Sequence, residues 1–266
     1  MKNLLSDKIN SFPGIIATGF KDLLSYDEFY YNEREIFPAA SIIKIPIMIE
    51  FFRKVERKEI SLEHKIVLKE EDKTGGAGVL FELHNGVELT LLDLVKLMIV
   101  ISDNTATNIL LDYTGFDGVN NLMKEAGMQS SCLRRKMMVP CKENQENLIS
   151  VRDIMVLMER LVTGKLLSPK YTEIAVGILK RQQYNEKIPL YLPAEIPVAH
   201  KTGELDGVRH DVAAIYLHDR IYLFSALTRQ VSNVVETDRI IGEMSKIIYD
   251  KVNDYKKSLT EELFNI

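Results

Sequence analysis

The sequence predicts an α+β protein in which both ends of the chain contribute to one antiparallel sheet of five strands, flanked by helices at the two termini. Segments rich in β-branched and aromatic residues lie near the N-terminus and again after Pro197. The stretch from Ile47 to roughly Lys187 has mainly helical patterns, broken at Gly and Pro. We therefore expect a discontinuous sheet domain, residues 1–45 and 188–266, with an all-helical domain inserted at 46–187.

The first elements follow from apolar spacing and turn residues. Apolar residues at helical spacing predict a short helix over Lys2–Ser11, which Pro13 and Gly14 end. The segments Ile15–Phe20 and Phe29–Tyr31 then predict a hairpin of two strands.

A third segment, Ala40 to Pro46, opens a strongly apolar helical run. Pro46 is tolerated there because the first turn of a helix does not use every backbone N–H.

The central helices are recognised by their caps. Thr90 is placed to cap an apolar helix over Leu91–Ile101, and Ser150 is placed to cap the amphipathic segment Leu148–Leu161, with Asp153 in its first turn. A further helix is predicted over Thr105–Tyr113. The glycine-rich stretch 73–78 is interpreted as a flexible link and not a phosphate-binding loop, because it lacks the Lys-Ser/Thr ending of a P-loop.

After residue 197 the sequence predicts three antiparallel strands and a closing helix. The strands are Val198–Thr202, Val212–Leu217 and Ile221–Leu227, and the last two are joined by a tight turn at 218–220. The final helix is predicted over Val234–Lys251.

Composition excludes several classes of function. The 266 residues carry a net charge of −4, with basic and acidic residues intermixed, so nucleic acid is not an expected partner. No apolar run is long enough for a membrane helix or a signal peptide, so we expect a cytoplasmic protein with no membrane partner. Cys132 and Cys141 are expected to be free thiols. The oligomeric state is left open.

Ser41 and Lys44 form the first candidate for chemistry. Residues three apart lie on one face of a helix, so the Lys44 ammonium can reach the Ser41 hydroxyl if both point into a cleft. A serine becomes a strong nucleophile when a neighbouring base takes its proton, and a lysine is such a base once its pKa is lowered. Alone, the same spacing is more typical of a solvated helix face.

Two further motifs follow in a set order: Ser102-Asp103-Asn104, and then Lys201-Thr202-Gly203. With Ser41-Ile42-Ile43-Lys44 they form the trio found in class A β-lactamases and penicillin-binding proteins, and the chain resembles that serine-reactive family over nearly its whole length. The stretches 78–80, 89–94 and 98–108 strengthen the resemblance. It implies the β-lactamase/transpeptidase-like fold, a small-molecule substrate, and neither metal nor organic cofactor.

The resemblance also implies catalytic roles, carried over residue by residue. Ser41 would attack the carbonyl of a strained cyclic amide, with Lys44 as its activating partner. Ser102 would pass a proton to the departing nitrogen. Asn104 would fix Lys44 and bind the amide side chain of the substrate, and the backbone N–H of Glu204 would complete the oxyanion hole.

Four residues would bind the substrate. Lys201 and Thr202 would hold its carboxylate, and Gly203 would let the strand lie close against it. Arg209 is placed to support the same carboxylate, although a surface salt bridge is an equal alternative.

Asp103 and His200 are given structural roles, and a catalytic triad is disfavoured. Asp103 is expected to accept backbone N–H bonds within its turn. A Ser-His-Asp triad through His210 and Asp211 is disfavoured, since Lys44 already supplies a base and strand neighbours point to opposite faces. His200 is expected to be a packing residue.

The pattern fails at Met137, which falls where the secreted class A enzymes have the glutamate that activates the deacylating water. A thioether cannot accept a proton from water. Glu143, Glu146 or Lys44 itself could replace that base. We therefore expect a β-lactam-opening hydrolase with an acyl-Ser41 intermediate and slow deacylation. The alternatives are an esterase or D-amino-acid peptidase, which a cytoplasmic location favours, and a penicillin-binding sensor that stays acylated.

Overall fold

The computed structural model describes residues 1–140 and 144–254, and the backbone of the last helix as far as residue 264. Its helices, in chain order, are α1 (Lys2–Asn10), α2 (Lys44–Glu56), α3 (Leu91–Val100), α4 (Asn104–Thr114), α5 (Phe116–Glu125), α6 (Val151–Val162), α7 (Pro169–Leu179) and α8 (Val234–Phe264). Its strands are β1 (Ile15–Asp22), β2 (Glu28–Tyr31), β3 (Phe37–Pro38), β4 (Lys65–Val67), β5 (Glu88–Thr90), β6 (Leu148–Ile149), β7 (Val198–Leu205), β8 (Val208–Tyr216) and β9 (Ile221–Arg229).

The main sheet has five strands in the order β2-β1-β9-β8-β7, and every neighbouring pair is antiparallel. The first and last strands of the chain meet in its middle, where Thr18 lies opposite Ala226. Ala226 in turn lies opposite Asp211, which lies opposite Thr202 on the edge strand β7. The predicted α+β class, with a five-stranded antiparallel sheet built from both termini, is confirmed.

Each face of this sheet packs against a separate apolar core. On β9, Phe224 and Ala226 join Leu5 of α1 and Met244 of α8 in one core. The alternate residues of β9 join the larger core, which contains α2 to α7. Alternation is expected because successive side chains of a strand point to opposite faces. The division into domains at residues 45 and 188 remains a prediction.

Both predicted helix caps are confirmed. The Thr90 hydroxyl accepts the Asp93 N–H at 3.1 Å, and the Asp93 carboxylate accepts the Thr90 N–H at 3.2 Å. The Ser150 hydroxyl accepts the Asp153 N–H at 3.2 Å. These bonds satisfy N–H groups that a helix start leaves unpaired, so the two helices begin where the sequence predicts.

The inserted region is not entirely helical, which corrects the sequence prediction. Strands β4 and β5 pair with each other, and β6 pairs with β3 just before the Ser41 turn. These strands have only two or three residues, so they are too short to show an alternating pattern. Long irregular connections also separate the helices of this region. In the described part of the chain, none of the helices is both long and apolar enough to cross a membrane.

Candidate active site

Ser41 lies in a 3₁₀ turn, Ala40–Ile43, that joins β3 to α2. The sequence predicts an α-helical start here, whereas the structure has a tighter 3₁₀ turn. In a 3₁₀ helix the side chains at i and i+3 are eclipsed, so Ser41 and Lys44 project in the same direction. Ala40 has a positive φ of 46°, which a non-glycine residue adopts at a cost of about 1–3 kcal/mol. Among the described residues, nothing hydrogen-bonds the Ser41 hydroxyl.

Lys44 is fully buried at the beginning of α2 and is held by the second motif. Its Nζ donates to the Ser102 carbonyl at 2.7 Å, to Ser102 Oγ at 3.1 Å and to Asn104 Oδ1 at 2.8 Å. Burial, followed by the positive charge of Lys201, lowers the pKa of Lys44 well below its usual value, against the opposing effect of Asp103. A lysine whose pKa is lowered gives up its proton more readily and can act as a base.

Ser102 connects two lysines. Its Oγ accepts hydrogen bonds from Lys44 at 3.1 Å and from Lys201 at 3.0 Å. When both lysines are charged these bonds occupy its two lone pairs, so the Ser102 proton is directed away from them. The backbone of Ser102 has a positive φ of 56°, in the turn between α3 and α4. Such strain is typical of residues held in a fixed functional geometry.

Asp103 has the structural role that the sequence predicts. Its carboxylate accepts N–H bonds from Val79 at 2.7 Å, from Leu80 at 2.9 Å and from Ala106 at 2.8 Å. It therefore caps α4 and at the same time fixes the preceding loop. A Cβ at Gly78 would lie 2.2 Å from Asp103 Oδ2, and Gly78 has a φ of 102°, so this position requires glycine.

Asn104 completes the second motif. Its Oδ1 accepts from Lys44, and its Nδ2 donates to the Gly75 carbonyl at 3.0 Å. The glycine-rich stretch 73–78 is thus a wall of the site, as Ala77 also shows by lining both of its cavities.

Two adjoining cavities share Ser41, Ala77 and Glu204 in their linings. One of about 200 Å³ also contains Ser102, Tyr184 and Thr202. The other, of about 480 Å³, extends to Met137 and Asp206. The predicted motifs therefore converge on one cleft. A separate cavity of about 550 Å³ under the loop 189–198 is lined by none of the predicted site residues.

Lys201 and Thr202 enter this cleft from the edge strand β7. Lys201 is fully buried, and its Nζ donates to Ser102 Oγ and to the Thr202 carbonyl at 2.8 Å. Burial lowers the pKa of Lys201 to about 7, although the nearby Asp211 carboxylate acts in the opposite direction. A Cβ at Gly203 would lie 3.0 Å from the Ile42 side chain and 3.3 Å from its N, so β7 packs directly against the Ser41 turn.

Arg209 lies opposite Glu204 in the β7–β8 pairing and is surrounded by carboxylates. Its Nε donates to Asp238 Oδ1 at 2.9 Å, and its Nη2 pairs with the second Asp238 oxygen. Its Nη1 lies 2.6 Å from Glu204 Oε2. Of the two alternatives for this arginine, the structure shows the ion pair, with the guanidinium largely buried. Its role in substrate binding remains a prediction.

A second buried cation, Lys187, joins this network, and no sequence pattern indicates it. Its Nζ is fully buried and lies 2.7 Å from both Glu186 Oε1 and Glu204 Oε1. Asp238 is 4.0 Å away. The Lys187 side chain becomes buried only when the chain folds, and for this reason the sequence does not single it out.

The two histidines near the third motif have structural partners. His210 Nε2 contacts the Pro38 carbonyl at 2.8 Å and its Nδ1 accepts the Thr228 N–H at 3.0 Å, so the ring is neutral with its proton on Nε2. His200 Nδ1 lies 3.0 Å from Asp211 Oδ1. Neither ring hydrogen-bonds Ser41, which agrees with the rejection of a Ser-His-Asp triad.

Met137 lines the larger cavity and is nearly buried. Its backbone is fixed by Asn108, whose side chain accepts the Met137 N–H at 2.7 Å and donates to its carbonyl at 3.1 Å. The sequence places Asn108 within a family stretch but indicates no role for it. This pairing fixes the backbone that carries the Met137 thioether at the wall of the cleft.

The candidate replacement bases are constrained or lie elsewhere. Both oxygens of Glu146 accept from Arg135 Nη2, at 2.8 and 2.9 Å, and Glu146 also accepts the Asn147 N–H at 3.0 Å. A carboxylate held in this way has little freedom to approach a water at Ser41. Glu143 and Cys141 lie outside the described residues, while Cys132 is a free thiol. No group of three or more potential metal ligands occurs in the described part of the chain.

Comparison with known proteins agrees with this fold and these motifs. A family model described as the beta-lactamase enzyme family matches residues 1–252. Beta-lactamase SME-1 of Serratia marcescens is 24% identical over 252 residues, which cover 91% of this chain and 85% of that protein. The crystal structure of a beta-lactamase from Sphaerobacter thermophilus has a TM-score of 0.89 and 33% identity, covering 94% of this chain and 96% of that one.

A third neighbour is PBP-A, with a TM-score of 0.87, 25% identity and coverage of 96% and 97% of the two chains. That structure is a leucine-to-glutamate mutant, captured as an acyl-enzyme complex with penicillin G. The fold and motifs define a serine hydrolase of the class A β-lactamase and penicillin-binding type. The chain belongs to the beta-lactamase enzyme family.

Proposed function

We propose that this protein is a serine hydrolase that opens β-lactam amides through an acyl-Ser41 intermediate and deacylates slowly. The observation that carries the proposal is the buried Lys44, whose Nζ is fixed by Ser102 and Asn104, two residues that line cavities together with Ser41. Its lowered pKa favours the neutral amine, the form that can take the Ser41 proton.

In the acylation step, Lys44 removes the Ser41 proton while Oγ attacks the lactam carbonyl carbon. The negative charge on the carbonyl oxygen would be stabilised by the backbone N–H groups of Ser41 and Glu204. When the C–N bond breaks, the departing nitrogen takes the Ser102 proton, and the Lys44 ammonium returns a proton to Ser102 across 3.1 Å. The product is a single species, the acyl-Ser41 ester, whose acyl group carries the opened ring with its newly protonated nitrogen.

Deacylation needs a base for water, and the cleft offers few. Met137 lines the position where a carboxylate would serve, and Glu146 is tied to Arg135. Glu204 also lines the cleft, but its two oxygens are paired with Lys187 and Arg209. Lys44, neutral again after acylation, would therefore act in both steps. An amine that is also hydrogen-bonded to Ser102 and Asn104 is a poorly placed base for a water on the ester, and this supports slow release.

The same observation supports a second candidate, a penicillin-binding sensor that stays acylated. The two differ only in the rate of deacylation. The acyl-enzyme of PBP-A was captured in a mutant that carries an introduced glutamate, which shows that a penicillin acylates that neighbour. An esterase or a D-amino-acid peptidase would use the same Ser41 and Lys44 with another acyl donor.

One experiment separates these functions. The protein is mixed with a chromogenic cephalosporin, and intact mass and absorbance are followed in parallel. Slow steady colour with a large fraction of acyl-protein supports the proposal, and a burst followed by a permanent adduct supports the sensor.

The absence of any adduct, together with turnover of p-nitrophenyl esters, would replace both by the esterase. Ser41→Ala should abolish adduct and colour, whereas the exposed-site control Ser232→Ala should change neither.

A further inference from the structure

Glu204 presents a carboxylate to the substrate side of the cleft. The strand β7 is regular from Val198 to Leu205, so Thr202 and Glu204 point to the same face. Both residues line the cavity that contains Ser41 and Ser102. A group bound at the Thr202 hydroxyl therefore lies next to the Glu204 side chain, which is 42% exposed.

This carboxylate is ionised at neutral pH. Burial raises its pKa, but Lys187 and Arg209 outweigh that effect and hold the pKa of Glu204 below its usual range. Its Oε1 lies 2.7 Å from Lys187 Nζ and its Oε2 lies 2.6 Å from Arg209 Nη1.

The two cations that contact Glu204 are thereby already neutralised. Arg209 pairs with Asp238 and Glu204, and Lys187 pairs with Glu186 and Glu204. Three carboxylates thus face two cations in this network, so it carries a net negative charge. Lys201 is the one remaining cation that reaches the cleft from β7 among the described residues, and burial lowers its pKa to about 7.

We propose that Glu204 is a specificity-determining residue: it occupies the guanidinium of Arg209 and repels anions, so that the site disfavours acyl donors with a carboxylate beside Thr202. The preferred donors carry an uncharged or cationic group at that position. This inference rests on the proposed acyl transfer to Ser41 and narrows its substrate class. It also gives Arg209 a different role from direct binding of a substrate carboxylate.

The test compares a chromogenic cephalosporin that carries its ring carboxylate with the methyl ester of the same compound. The second-order rate constant for acylation is measured by intact mass, and the ratio of the carboxylate value to the ester value is calculated. In Glu204→Gln this ratio should rise about tenfold, the factor that ~1.4 kcal/mol of lost repulsion represents. The introduced glutamine side chain remains able to accept from Lys187, so the network keeps a hydrogen bond there.

Glu186→Gln is the matched control. Glu186 contacts Lys187 at 2.7 Å and approaches Arg209 at 3.8 Å, so its substitution changes the charge of the network equally. However, it does not line either cavity that contains Ser41. We expect its ratio to stay within about twofold of the wild-type ratio.

An equal rise in both variants, or no rise in Glu204→Gln, would overturn the inference. Should Glu204→Gln fail to fold, the wild-type protein provides the test, because salt of about 0.5 M screens the repulsion and should raise the ratio. A wild-type ratio that is unchanged or lowered by salt would also overturn it. If neither the wild-type protein nor any variant forms an adduct with either compound, the proposed acyl transfer to Ser41 is itself wrong.

Discussion

The Lys201 ammonium donates a hydrogen bond to the Ser102 hydroxyl across 3.0 Å, although the two residues are 99 positions apart in the chain. This contact joins the edge strand of the sheet to the turn between α3 and α4. Through Ser102 it also connects Lys201 with Lys44, so that three motifs form one hydrogen-bonded unit. The chemistry of the site therefore depends on how protons are distributed between these two buried lysines.

Lys44→Arg should reduce acylation of Ser41 by about 10²–10⁴-fold, the usual contribution of a general base. Arginine keeps the positive charge but does not release its proton at any accessible pH. Acylation is measured by intact mass, and folding by circular dichroism. Lys54→Arg, on the half-buried side of the same helix, is the control and should retain the wild-type rate. A Lys44→Arg variant that acylates at the wild-type rate would contradict the role of Lys44.

The rate of acylation should fall as the pH rises through about 7, because the Lys201 ammonium is lost there. The lowered pKa of Lys201 affects the stability of the fold in the opposite direction, because stability rises with pH. Since the pKa of Lys201 is lower in the folded than in the unfolded chain, the unfolded chain binds more protons between pH 7 and 10.5, and this group makes the protein more stable as pH rises through that window.

Acylation rates measured from pH 5 to 9 test the predicted fall in rate above pH 7. Lys201→Arg should remove the descending limb above pH 7, since arginine stays charged. If the rate still falls above pH 7 in this variant, the fall is caused by the titration of another group.

His210 should make the protein less stable in mild acid. Burial lowers the pKa of His210 to about 4, whereas the same side chain in the unfolded chain has a pKa of about 6.5. Stability is therefore lost as the pH falls from 6.5 towards 4, by up to about 3 kcal/mol. Urea unfolding at pH 7.5 and 4.5 measures the loss. His210→Gln should show a smaller loss between the two values, and an identical loss would contradict the assignment.

Gly78→Ala should cost more stability than Gly86→Ala. Both glycines have a positive φ, 102° and 93°, so both substitutions carry backbone strain of about 1–3 kcal/mol. A Cβ at Gly78 also meets Asp103 at 2.2 Å, whereas one at Gly86 has nothing within 4 Å. Only Gly78→Ala should also slow acylation, because it displaces the turn that holds Ser102. Equal effects of the two substitutions on both readouts would contradict this account.

Met137→Glu should speed deacylation about tenfold or more, because it places a carboxylate at the wall of the cavity that contains Ser41. Met137→Gln has the same shape without a base and should leave deacylation slow. Val139→Glu, at an exposed neighbour that does not line this cavity, is the second control. The decay of the acyl-protein after removal of free cephalosporin gives the rate. Equal decay in the Glu and Gln variants would dispose of the idea.

The sequence predicted the sheet and the motifs because those signals are local. The caps at Thr90 and Ser150, and the strands that contain Lys201 and Tyr222, were each readable within about ten residues. The ion-pair network around Glu204 could not be predicted from the sequence. Its members lie on separate elements: Lys187 on the loop before β7, Glu204 on β7, Arg209 on β8 and Asp238 on α8. The burial of Lys44 and its bond to Ser102 both required the fold. The 3₁₀ turn at Ser41 was also missed, because helix periodicity does not distinguish it from an α-helical start over four residues.

Acylation of Ser41 is tested by locating the adduct. The protein is incubated with a cephalosporin, quenched in acid and digested, and the modified peptide is sequenced by tandem mass spectrometry. We expect a single adduct on the Ser41 hydroxyl in the wild-type protein and none in Lys44→Arg over the same time. An adduct on Ser102 or on any lysine, with Ser41 unmodified, would contradict the account.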